Sequence, residues 1–171
     1  FSPFLPALDE SGLRERLYRW IEAGGTWIAG PLSDIRTLAG TRPIHAPFAC
    51  LEDWAGVFCR HELPGEPREF ALRWEDGPVS SGSLWYAGLE PKNAKVLAAY
   101  TEGPLEDLAA VTESQLGKGR IVLLGTLPVP SDLQRLLLRL TAECGIRPAA
   151  EATPNVLVVP RSGESGRGAV V

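Results

Sequence analysis

No apolar run in this chain is long. The greasiest stretches, Ile121 to Leu127 and Leu136 to Leu140, fall well short of the ~18 uncharged apolar residues that a membrane span needs. Eighteen glycines and 15 prolines punctuate the remainder, so the chain has to be assembled from short strands and short amphipathic helices joined by turns. At 171 residues it makes about one domain and a fraction, and a chain of that size hides roughly 70% of its unfolded surface. With 44% hydrophobic and 22% charged residues, disorder, collagen-like repeats and coiled coils are excluded, and a packed soluble protein is expected. A net charge of −4 without a concentrated positive face argues against a nucleic-acid partner. Nothing in the sequence points to a membrane partner.

The opening Phe1-Ser-Pro-Phe-Leu-Pro-Ala-Leu8 reads as the end of a buried strand entering a loop, so the body of a strand is expected just before it. From Asp9 to Ala23, Leu13, Leu17, Trp20 and Ile21 recur at helical spacing, with Gly24-Gly25 as the stop. Thr26 to Ala29 reads as a short strand closed by Gly30-Pro31, and Leu32 to Pro47 as a long polar loop. A short helix is expected over Cys50 to Ala55, then strands at Val57 to His61, Phe70 to Trp74, Leu84 to Ala87 and Val96 to Thr101. Ala109 to Leu116 and Arg120 to Leu124 form the best hairpin, turned through Gly117-Lys118-Gly119. Ile121 to Leu124 reads as a buried central strand. Ser131, with Gln134 three residues on, predicts a capping box for a helix that buries Leu133, Leu136, Leu137, Leu140 and Cys144 and stops at Gly145. Beyond the linker Ala149 to Pro154, Asn155 to Val159 and Gly168 to Val171 read as two strands around the turn Ser162 to Arg167. Two strands alone are marginal, so this tail is expected to open a further module.

Chemistry is sparse. The acidic candidates Asp34, Glu52 with Asp53, Glu75 with Asp76, and Glu106 with Asp107 sit in turns or helix starts and read as solvated surface carboxylates. His45 and His61 have no nucleophile in a recognisable arrangement and read as surface or loop histidines. Gly117-Lys118-Gly119 lacks the Ser or Thr and the following helix of a phosphate loop. Cys50, Cys59 and Cys144 are odd in number and far apart, without disulfide or zinc spacing, which favours a reducing, cytoplasmic compartment. Buried inert thiols are the default for Cys50 and Cys59, because no nucleophile elbow surrounds either. No catalytic residue, cofactor or metal ligand is assigned. Trp20 and Trp27 match core periodicity, whereas Trp54, Trp74 and Trp85 lie between core, interface and sugar-stacking roles.

Several segments together carry a resemblance. Phe1 to Leu8, Leu17-Tyr-Arg-Trp-Ile21 with Gly24-Gly25-Thr26, and Gly30-Pro-Leu-Ser-Asp-Ile-Arg36 come first. They are followed by Ala94-Lys-Val-Leu-Ala-Ala-Tyr100, Ala110-Val-Thr112, Gly117 to Val122 with Leu124-Gly-Thr126, and Val156 to Arg161. In order and spacing this resembles the middle domain of glycoside hydrolase family 42 β-galactosidases. The resemblance implies a fold class of α/β type: a three-layer, glutamine-amidotransferase-like (flavodoxin-like) sheet with flanking helices, N-terminally truncated. Residues 1–148 would be the trimerisation domain, and 149–171 a linker and the first strands of a C-terminal β-sandwich. It also implies homotrimeric self-association in a bacterial enzyme of carbohydrate metabolism, whose galactoside substrate and catalytic glutamates belong to a barrel domain absent from this chain.

Active amidotransferases need a Cys at one strand-end elbow and a His at another. Here the corresponding turns read Ala29-Gly-Pro-Leu-Ser33 and Gly125-Thr-Leu-Pro-Val129 and supply neither. The expectation is therefore a non-catalytic assembly domain, with Trp74, Trp85, Tyr86, Asp34 and Arg36 as candidate interface residues within the loop Gly30 to Arg42 and the region Phe70 to Tyr86. The rivals are a Cys-dependent hydrolase or amidotransferase using Cys50 or Cys59, and a carbohydrate-binding module built on Trp74, Trp85 and Tyr86.

Overall fold

The computed structural model describes residues 5, 7, 8, 12–44, 46–65, 69–147, 159–163 and 166–170. Asp9 to Ser11, His45, the linker 149–154 and the first residues of the strand expected at 155 lie outside them. Internal contacts divide the chain into two compact units, 1–133 and 134–171.

In the first unit, α1 (Leu13–Glu22) forms because Leu13, Leu17 and Ile21 recur every fourth residue and give it one apolar stripe. Trp20 departs from the inward position expected for it and is 52% exposed. It stands at the edge of that stripe, and its ring lies across Gly25, where a Cβ would come within 2.5 Å of the indole. Trp27 on β1 (Thr26–Ala29) is buried, as its spacing predicts. After the loop come α2 (Ala49–Ala55), β2 (Val57–Pro64), β3 (Phe70–Trp74), β4 (Val79–Ser83), β5 (Trp85–Pro91) and β6 (Lys95–Tyr100). A 3₁₀ turn at Gly103–Leu105 leads into β7 (Ala109–Leu116), β8 (Gly119–Leu124) and β9 (Leu127–Pro128).

These strands make one mixed sheet in the order β1-β8-β7-β6-β3-β4-β9, and the β2–β5 pair joins it through Leu89 opposite Ala109. β1 and β8 run parallel; the other pairings described in this sheet are antiparallel. β8 sits between β1 and β7, and Ile121, Val122, Leu123 and Leu124 all have 0% exposure. Its unbroken apolar run, without alternation, is what a strand covered on both faces requires. On one face Ile121 and Leu123 join Ile21, Trp27, Ala29, Phe48, Leu51 and Ala55 in the core cluster that contains residues of α1 and α2. Elsewhere Phe70, Tyr86 and Tyr100 stack edge to face, with centroids 4.7 to 6.3 Å apart.

Two differences from the sequence reading share one cause. β4 carries a single large apolar residue in Val-Ser-Ser-Gly-Ser and has no period of its own; its ladder with β3 makes it a strand. β2 and β5 likewise run past their apolar stretches because each supplies the other's main-chain partners, out to Pro64 opposite Trp85. The β7–β8 turn is tighter than expected. Gly117, at φ 60°, and Lys118 make the turn, while Gly119 already pairs with Leu116. Gly119 is needed for close approach: a Cβ there would lie 2.0 Å from the Ile21 carbonyl oxygen and 2.2 Å from that of Gly25. Lys118 and Arg120 donate their N–H groups to the Glu22 and Gly25 carbonyls at 2.9 and 3.0 Å, so the end of α1 is bonded onto the hairpin.

α3 (Pro130–Glu143) crosses into the second unit and begins one residue earlier than the expected cap. Proline is pre-set for the first helical position, and the Asp132 and Leu133 N–H groups donate to the Val129 carbonyl, so Ser131 lies inside the helix. Gly145, at φ 71°, closes it, with Ile146 N–H donating to the Thr141 carbonyl at 2.9 Å. Cys144, past the last turn, is exposed rather than buried. β10 (Val159–Gly163) and β11 (Gly166–Val170) pair antiparallel with Gly163 opposite Gly166, so strand pairing takes in residues assigned from sequence to the turn.

Gly119→Ala is expected to destabilise the chain by about 1–3 kcal/mol or more, since the backbone it meets cannot give way. Lys118→Ala, on the exposed turn, should change stability by less than about 0.5 kcal/mol. Urea unfolding followed by tryptophan fluorescence separates the two.

Candidate functional site

The most organised polar site lies where the loop after β1 meets α2. Asp34 sits at φ 54°, a conformation that aspartate tolerates better than most residues, and it is 1% exposed. Its Oδ1 accepts from Leu8 N–H at 3.1 Å. Its Oδ2 accepts from Leu51 N–H at 3.3 Å and from the Cys50 thiol at 3.1 Å. Its own N–H donates to the Leu5 carbonyl at 2.8 Å. The first-turn N–H groups of a helix lack i−4 partners, and the Leu51 N–H is shared between the Phe48 carbonyl at 2.9 Å and Asp34 from a different segment. Glu52, also buried, reaches back to Phe48 N–H at 3.3 Å. The sequence reading of Asp34 and Glu52 as solvated carboxylates is therefore corrected: both are buried and accept from main-chain N–H groups at the start of α2, Asp34 also from Leu8 N–H and the Cys50 thiol. Ser33-Asp34-Ile35, a small-polar-apolar run soon after a strand, is the sequence signal that a general polar-loop assignment passes over.

This site holds its thiols protonated. Burial, helped by the Asp34 hydrogen bond and charge, pushes the Cys50 thiol up to about 12. Burial and the nearby Glu52 push Cys59 up to about 12 as well. A thiolate nucleophile needs the opposite shift. His61 is exposed on β2, and Cys59 donates to its carbonyl rather than to its ring. Among the described residues no group of three or more His, Cys, Asp or Glu is placed to hold a metal ion, and no helix is long and apolar enough to cross a membrane.

The remaining candidate interface residues divide by exposure. Tyr86 is enclosed, its hydroxyl donating to the Gly82 carbonyl at 2.7 Å. Trp74 is 8% exposed and donates its indole N–H to Ser80 Oγ at 3.0 Å. Trp85 is half-buried opposite Pro64, and Arg36 is exposed. The structure does not gather these five side chains into one cluster. It places Asp34 and Arg36 on the loop after β1, and Trp74, Trp85 and Tyr86 on β3 and β5. Trp54, on α2, meets Tyr18 edge-on at 5.3 Å.

This α/β architecture is that of a domain within family 42 β-galactosidases. The chain superposes on Gan42B, a GH42 β-galactosidase from G. stearothermophilus solved as a catalytic mutant, with a TM-score of 0.85 at 20% identity, over 95% of this chain and 24% of that one. Against the β-galactosidase of Bacillus circulans sp. alkalophilus the TM-score is 0.83 at 20% identity, over 90% and 24%. Within that class, the chain belongs to the β-galactosidase trimerisation domain family, whose model matches residues 1–147. It is 30% identical to the β-galactosidase YesZ of Bacillus licheniformis over 170 residues, and 30% identical to YesZ of Bacillus subtilis over 175; each match covers 97% of this chain. The chain spans about a quarter of the length of these curated relatives, 25% in both cases.

Burial raises the Glu52 carboxyl above its ordinary value, opposed by the Phe48 and Cys59 main chain and by Lys92. A raised carboxyl favours folding while protonated, and that contribution disappears as pH climbs through the raised value. Stability of the unsubstituted chain relative to Glu52→Gln is therefore expected to fall between about pH 4 and about pH 7. Unfolding free energies of both at the two pH values measure it; a gap that stays constant or grows contradicts the assignment.

Proposed function

We propose that this chain is the non-catalytic assembly layer of a bacterial β-galactosidase that hydrolyses terminal non-reducing β-D-galactosides in the cytoplasm as part of carbohydrate metabolism. The parent works as a homotrimer, and its galactoside is held by a barrel domain outside this chain, where two carboxyl groups about 5 Å apart would act with retention. Residues 1–148 make up the trimerisation domain, built on a three-layer, flavodoxin-like plan, and 149–171 are a linker and the first strands of a C-terminal β-sandwich. The family match over residues 1–147 carries this reading. The strand-end turns 29–33 and 125–129, which hold no Cys or His, support it. So do the two thiols held at about 12.

Assembly takes place through the loop Gly30 to Arg42 and the region Phe70 to Tyr86. Arg36 and Trp85 offer surface directly. Asp34, Trp74 and Tyr86 contribute by fixing the backbone that carries exposed neighbours. Obligate contacts of this kind bury roughly 2,000 Å² or more and resemble a core cut in half.

Neutral-pH iodoacetamide should modify the folded chain once, at exposed Cys144, and reach Cys50 and Cys59 only after denaturation. Rapid modification of Cys50 or Cys59 in the folded chain, coupled to loss of any amide or glycoside turnover, would overturn the non-catalytic assignment.

A further inference from the structure

Three copies closed around a three-fold axis cannot meet through one self-complementary patch. The contact is head-to-tail, so each chain must carry two different surfaces that fit one another. This inference rests on the trimeric reading above, and two exposed turns of the first unit meet its requirement.

One is the tip of the loop after β1. Thr37 N–H donates to the Thr41 carbonyl and Gly40 N–H to the Thr37 carbonyl, both at 2.8 Å, while the two threonine hydroxyls lie 2.7 Å apart. An ion pair from Arg42 to Glu62 ties the outgoing strand of the loop to β2. These bonds hold a rigid knob with Leu38, 60% exposed, near its tip and Arg36 at its base. Arg36 has no ion pair among the described residues. The other surface is the end of the β3–β4 hairpin. It is braced by the Trp74–Ser80 hydrogen bond, by Glu75 N–H donating to the Leu97 carbonyl at 2.9 Å, and by the Lys95–Glu75 pair at 2.6 Å. It presents Val79, 65% exposed, together with Asp76, which also has no ion pair among the described residues. Beside it opens a shallow hollow of about 390 Å³ lined by Arg73, Trp74, Glu75, Val96, Leu97 and Ala98.

One turn thus offers an exposed leucine with a cation, and the other an exposed valine with an anion, neither charge ion-paired among the described residues. Both are held in shape before contact, which lowers the ordering cost of association. We propose that the 36–41 knob of one protomer seats on the β3–β4 end of the next, with Leu38 entering the hollow beside Trp74 and Arg36 facing Asp76. The partner surface is a second copy of this chain.

Charge reversal in the intact parent enzyme tests the pairing. Arg36→Glu alone and Asp76→Arg alone should each raise the trimer dissociation constant at least tenfold in sedimentation velocity, and the double reversal should recover most of that loss. In a Cys144→Ser background, Leu38→Cys combined with Val96→Cys, on the wall of the hollow, should give, on mild oxidation, linked dimers and trimers joined through a 38–96 peptide. Single reversals without effect, a double variant no better than the singles, or Leu38→Cys linking to itself would each overturn the pairing. A parent that is not trimeric at all would instead overturn the reading beneath it.

Discussion

Asp34 accepts hydrogen bonds from the main chain at Leu8 and Leu51 and from the Cys50 thiol, so three segments distant in sequence meet at one buried carboxylate. Removing it would strand the Leu8 N–H, at a cost of about 1–3 kcal/mol for an unsatisfied buried donor, and would leave the Leu51 N–H with the Phe48 carbonyl alone. It also fixes the path of the loop after β1: Ile35, next in sequence, is buried, and the chain emerges only at Arg36. The exposed knob therefore grows from an anchored base. A buried acidic side chain in a functional site is a candidate for catalysis, but among the described residues the Asp34 side chain accepts from two main-chain N–H groups and one thiol.

What the sequence made legible follows from where each element draws its stability. α1, β1, the β7–β8 hairpin and α3 carry their own periodicity and turn residues, and the structure places them within a few residues of the sequence reading. β4 and the outer parts of β2 and β5 exist through their ladders and leave almost no apolar signal. The burial of Asp34 and Glu52 was hidden for a related reason, because their donors come from residues far along the chain or from a helix start whose geometry no local pattern announces. Gly119 was legible as part of the turn, whereas what demands glycine there is close approach to the Ile21 and Gly25 carbonyls. Function became legible through the order of many modest motifs, since no single site in the chain declares it.

The domain uses its polar chemistry inward. Cys50, Cys59, Asp34, Glu52 and the hydroxyls of Tyr86 and Tyr100 all bond within the chain, and burial drives Tyr100 well above its ordinary ionisation range. Outward on the first unit stand, among others, the two braced turns at 36–41 and 75–79. That use of buried polar groups suits a trimerisation domain, the family to which the chain belongs.

Hydrogen–deuterium exchange on the intact parent, compared at concentrations above and below trimer dissociation, tests this account most directly. It predicts that assembly slows exchange within residues 36–41 and 75–84 while the main chain of β8, already covered on both faces, stays unchanged. Slowing confined to segments outside residues 1–147 would contradict it.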